Sequence, residues 1–183
     1  MKYLVVCFAL LLGGCSSAPL STLTHFATFD EQDFAALDPT QIRASLVVDD
    51  FVKLKDVTLS AQLNTAEGVQ HLSFPLELLS KEILPIRRSW IFTTKVRSQY
   101  QYQLSPLAQQ NFLKLQQEVL KGSQYICDVD IVFDEHTQPR PFKYTVKLML
   151  NPDNGYITMI DEREMDMSTP QWTGGNARLQ TLR

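Results

Sequence analysis

No run of apolar residues in this 183-residue chain is long enough to cross a bilayer as a permanent helix. Tyr3 to Leu12 stops after ten residues, and Ile126 to Phe133 is broken by Asp128 and Asp130. A strong charge of one sign is also missing. With 17 Lys and Arg against 20 Asp and Glu, the net charge is −3, which argues against nucleic acid or anionic headgroups as the main partner. The motifs of common catalytic sites are absent: no Gly-x-Ser-x-Gly elbow, no phosphate loop, no His-Glu-x-x-His and no Cys-x-x-Cys. His25, His71 and His136 fall on a leading segment, the polar side of a strand and a hairpin loop, without ligand spacing. No catalytic residue, metal or cofactor is therefore expected.

What is present begins at the first residues. Lys2 gives a short positive start, the ten-residue apolar run follows, and Leu12-Gly13-Gly14-Cys15 comes at once. A run of that length suits a removable secretory signal. The ending resembles the lipobox of bacterial lipoproteins. That resemblance implies cleavage before Cys15, acylation of Cys15 and attachment by more than one chain, which holds firmly where a single chain does not. Ser16, rather than aspartate, after the cysteine implies the outer membrane of a bacterial envelope, facing the periplasm. Residues 1–14 are then a signal peptide and 15–22 a tether. Cys7 leaves with the signal and Cys15 is the lipid site, so Cys127 remains alone and a disulfide framework is excluded. Loss of Lys2 makes the remainder one unit more acidic.

Residues 23–164 read as one β-rich domain. Thr24 to Phe29 is a candidate first strand, Asp38-Pro39 a helix start or turn, and Ile42 to Val48 a strand by its β-branched content. Val57, Leu59, Ala61 and Leu63 alternate with polar residues; after Ala66-Glu67-Gly68, so do Leu72, Phe74, Leu76 and Leu78. Matching apolar to apolar pairs Leu63 with Leu72 and Ala61 with Phe74. Pro75, which cannot donate to a ladder, places a sheet edge there. The alternation of Trp90 to Leu104 is long enough to predict a bent strand or one shared by two sheets.

Ser105-Pro106 predicts a helix over 106–121, with Ser as N-cap, a stripe of Ala108, Phe112, Leu115 and Val119, and Lys121-Gly122 at its end. A final meander pairs Phe133 with Phe142 and sets Asp128 opposite Lys147. From Met165 to Arg183 alternation is lost, and residues 165–183 are expected to form a flexible tail. The fold class is mainly β or α+β: an antiparallel sandwich or curved half-barrel sheet with one long helix.

Candidate sites are few. Asp49-Asp50 and Asp128/Asp130 are carboxylate pairs, the latter better explained by a salt-bridge ladder with Lys143 and Lys147. The outer face of the long strand, with Lys95, Arg97, Gln99 and Gln101, is a candidate binding face for an anionic glycan or protein, and Trp172 a candidate docking anchor. Three functions are weighed. A non-enzymatic envelope lipoprotein, acting as a binding or assembly subunit with an envelope protein partner, is preferred. The alternative is a carrier holding a hydrophobic ligand or lipid among Trp90, Phe92, Tyr100 and Tyr102. A hydrolase lacks a competent grouping.

Overall fold

The computed structural model describes residues 27, 29–85, 95–167 and 176–181. The lipobox with Cys15, the tether, His25, most of the expected first strand, Trp90, Phe92 and Trp172 lie outside the described residues.

The chain order is α1 (Glu31–Ala35), β1 (Arg43–Asp49), β2 (Leu54–Thr65), β3 (Gly68–Leu84), β4 (Arg97–Leu104), α2 (Pro106–Leu120), β5 (Gln124–Phe133), β6 (Phe142–Met149), β7 (Ile157–Met165) and β8 (Asn176–Thr181). The eight strands form one antiparallel sheet in the order β7-β6-β1-β4-β3-β2-β5-β8. It curls into a half-barrel with the long helix packed on it, the mainly β, α+β class expected from the sequence.

Alternation decides what faces inward. Ile42, Leu46 and Val48, then Val57, Ala61 and Leu63, then Tyr100, Tyr102 and Leu104 all share the concave side and are buried. The interior divides into two clusters. At one end Ala61, Leu63, Phe74, Leu104 and Ile42 pack beneath Ala108, Leu115 and Val119 of α2. At the other, Leu46, Val48, Tyr100, Tyr102, Ile131, Phe133, Phe142 and Tyr144 meet Val52, Met165 and Met167. The first end is closed by a helix and the second by connecting chain.

The helix forms as its sequence requires. The Ser105 hydroxyl accepts from the Ala108 amide at 3.2 Å, and Pro106 occupies the first turn. At the other end Gly122 takes a φ of +80°, and its amide donates to the Val119 carbonyl. Leu113 and Leu120, beside the stripe, are exposed. Gln116 is buried, and its amide donates to the carbonyls of Phe34, Ala35 and Leu37, tying down the C-terminal end of α1. Asp30 caps that short helix in a reciprocal capping box with Asp33.

Four sequence expectations are corrected. First, β2 and β3 pair Leu59 with Phe74, Ala61 with Leu72 and Leu63 with Gln70, two residues from the expected register. A shift of two keeps every side chain on its face, so apolar matching cannot detect it. The turn decides: Ala66-Glu67 form a two-residue loop, the Thr65 hydroxyl donates to the Gly68 carbonyl at 2.8 Å, and Gly68 adopts a φ of +126° that its lack of a side chain permits.

Second, β5 and β6 are not neighbours. β5 pairs with β2 and β8, and β6 with β1 and β7. Phe133 and Phe142 do meet, with ring centroids 5.9 Å apart, but as core contacts across the curled sheet. Third, β4 begins at Arg97, residues 86–94 being outside the described residues, and the strand that changes partner along its length is β3. Its Gly68–Pro75 part pairs with β2 and its Leu76–Leu84 part with β4, and Pro75 stands where the partner changes. Fourth, Met165 and Met167 are core residues, and Asn176–Thr181 form a strand on β5 rather than part of a tail. β7 carries ladder irregularities against β6, which erase the sequence period there.

Candidate functional site

The candidate face on β4 is convex. Arg97, Gln99, Gln101 and Gln103 alternate with the buried Ser98, Tyr100, Tyr102 and Leu104, so the sequence placed them together correctly. The geometry then ties most of them to neighbours. Arg97 reaches Glu162 of β7 at 3.2 Å and donates to the Val47 carbonyl at 3.2 Å. The Gln99 amide donates to Ser45 Oγ at 3.0 Å, and the Gln103 amide to Glu77 at 3.2 Å. Beneath this layer Ser45, Val47, Asp49 and Thr145 are buried, so β1 is covered on both faces. Lys95 precedes the strand and is exposed; Gln101 is half-buried.

Glu162 is the residue that sequence reasoning missed. It is the non-glycine residue with a positive φ, +42°, and it sits where β7 places Asp161 and Glu162 against Thr145. Its amide donates to the Thr145 hydroxyl at 3.2 Å, and its carboxylate lies 3.2 Å from Arg97 and 3.8 Å from Lys143. The arginine of the basic face read from β4 alone is thus paired with a carboxylate from a distant strand. No period reveals a bulge, so no signal in the sequence pointed to it.

Of the two carboxylate pairs, Asp49 and Asp50 do not converge as acid–base partners. Asp49 and Asp50 take opposite directions: Asp49 accepts from the Lys143 amide at 3.3 Å, while the buried Ser98 hydroxyl donates to Asp50. Asp130 accepts from the Ser60 hydroxyl at 3.4 Å. The expected ladder with Lys143 and Lys147 does not form, because those lysines lie on β6, which is not beside β5. The side chains of Cys127 and Asp128 lie outside the described residues. Among the described residues no group of three or more His, Cys, Asp or Glu side chains is placed to hold a metal ion.

His71 lies on β3 and His136 in the β5–β6 connection, where its Nδ1 is 2.8 Å from Asp134. The His136 amide also donates to Asp134, and this bond, with the imidazole, holds the Asp134 carboxyl below its ordinary value. That connection closes the second end of the barrel. Thr137 exchanges bonds with the amide and carbonyl of Lys53, the Asp134 amide donates to the Lys53 carbonyl, and Arg140 covers the Phe51 ring at 3.7 Å.

The aromatic residues of the strand fill space. Tyr100 and Tyr102 are 3% and 5% exposed and their rings stack 6.4 Å apart. The Tyr100 hydroxyl donates to the Val52 carbonyl at 3.1 Å, and burial pushes the phenols of Tyr102 and Tyr144 up.

Strand edges are the remaining feature. The β7 edge carries Asp161, Glu162, Arg163 and Glu164, all exposed, and bulges against β6. That is how natural edges are guarded against further pairing. The Leu76–Leu84 part of β3 differs. Its ladder runs to β4 on one side, and Leu78, Leu79 and Ile83 are 54%, 48% and 67% exposed.

No protein-family model, curated protein or solved structure matches this chain. The functional argument therefore rests on the sequence and on the fold.

Proposed function

We propose that this chain is a lipid-anchored subunit of a bacterial envelope, probed by binding rather than turnover: a non-enzymatic binding or assembly protein held to the outer membrane through Cys15 and facing the periplasm. The observation that carries the reading is Leu12-Gly13-Gly14-Cys15 immediately after ten apolar residues. Two features of the folded domain support it. The concave interior is occupied by Tyr100, Tyr102, Phe133, Phe142 and Tyr144, which favours a scaffold over a container for an apolar ligand. Asp49 and Asp50 face apart, and Asp130 accepts from the Ser60 hydroxyl.

The test is fractionation of cells making the full chain or Cys15→Ala. The full chain is expected in the membrane and the variant in the soluble fraction, each with the same circular dichroism after purification. Equal partition of the two would remove the anchor. Turnover of an envelope polymer by the purified chain, abolished by Asp130→Asn, would replace the binding reading with an enzymatic one.

A further inference from the structure

We propose that the open edge of β3 from Leu76 to Leu84 is a docking site for an extended strand of a partner protein whose residues alternate apolar and basic. The proposal rests on the binding or assembly reading and names the surface that serves it. The argument begins with the ladder. β3 hands over from β2 to β4 at Pro75, and the Leu54–Val57 part of β2 keeps its β5 ladder but has no β3 pairing. Among the described residues, two strand segments therefore diverge there, Leu54–Val57 and Leu76–Leu84, each with its described ladder on one side. Backbone N–H and C=O groups along such an edge template the addition of a further strand.

The side chains specify what kind of strand. The register against β4 sets Leu78 opposite Tyr102 and Ile83 opposite Ser98, residues whose side chains face inward, so Leu78 and Ile83 share the concave side. There they are exposed, beyond the cover of α2. Glu77 and Glu82 stand opposite Gln103 and Gln99, on the convex side, and both are exposed. An added strand thus meets Leu78, Lys81 and Ile83 on one face and the carboxylates of Glu77 and Glu82 on the other. Cross-strand pairing then favours apolar residues inward and lysine or arginine outward. Lys81, the residue type that commonly guards an edge, instead lies over the Tyr100 ring at 5.1 Å.

The experiment uses the full mature protein in detergent and two nine-residue peptides, one alternating lysine and valine, the other glutamate and valine. Binding is read by fluorescence anisotropy and located by hydrogen exchange. The lysine peptide is expected to bind about tenfold more tightly than the glutamate peptide and to slow exchange at residues 76–84. A form of it N-methylated on one edge should lose that protection. Glu77→Lys with Glu82→Lys should reverse the preference between peptides. Leu78→Lys with Ile83→Lys should weaken both, and because these side chains are exposed the melting temperature should hold. Equal affinity for the two peptides, protection elsewhere, or no reversal by the charge swap would overturn the proposal. So would self-association of the unliganded chain abolished by Leu78→Lys, which would make a second copy the occupant. Failure here with Cys15 acylated would leave the anchor standing, and an unmodified Cys15 would leave peptide docking standing.

Discussion

The two halves of β3 are built from similar residues and meet different fates. In the first half Phe74 faces inward and is 4% exposed beneath α2, against Phe112. In the second half Leu78 and Ile83 face the same side and are 54% and 67% exposed. The difference lies in what covers them. α2 begins at Pro106, directly after β4, and lies back over the Gly68–Pro75 end, where the Asn111 side chain donates to the Ser73 carbonyl at 2.7 Å. Among the described residues no helix covers the other half. An apolar residue on the concave side stabilises the fold only where another layer removes it from water.

That contrast can be broken most forcefully from the covered side. Phe74→Ala should lower the unfolding free energy by about 3–5 kcal/mol, because it opens a cavity under the helix. Urea denaturation measures it, and a loss comparable to that of an exposed residue would deny that the first half is core. Leu115→Ala removes the cover rather than the covered residue and should cost about 2–5 kcal/mol. It should also speed amide exchange in Gly68–Pro75 before Leu76–Leu84. Gln116→Leu removes the side-chain donor shared by the Phe34, Ala35 and Leu37 carbonyls at the end of α1; a loss of about 1–3 kcal/mol in thermal unfolding is expected. Ser105→Ala, which deletes the N-cap of α2, should cost about 1 kcal/mol. The smallest effect belongs to the open half: Ile83→Ser should change stability by no more than about 0.5 kcal/mol. A larger loss there would mean that Ile83 packs in the native state and that the edge is not free.

Much of this architecture was legible in the residues. The Val57–Leu63 and Leu72–Leu78 alternations, the caps of α2 and the stripe Ala108, Phe112, Leu115 and Val119 all lie where local periodicity put them, because period and capping are local physics. The errors are non-local. Apolar and charge matching joined β5 to β6, whereas the chain sends them to opposite sides of the sheet and lets Phe133 and Phe142 meet only in the core. Asp128 opposite Lys147 was a plausible pair with no strand contact behind it. The Asp161–Glu162 bulge could not be seen, and it set a carboxylate against Arg97 of the basic face. Nor could the open edge be read from Leu78-Leu79-Ser80-Lys81-Glu82-Ile83, since exposure depends on where α2 and β2 stop covering it.

The central claim is that a lipid anchor at Cys15 holds a solid domain at the envelope. The most direct measurement is the intact mass of protein extracted from membranes, taken under native and denaturing conditions. The account predicts a chain beginning at Cys15 and carrying several acyl groups, with the same mass in both conditions. An unmodified Cys15 on a soluble chain would contradict the anchor, and a lipid mass lost on denaturation would contradict the filled interior.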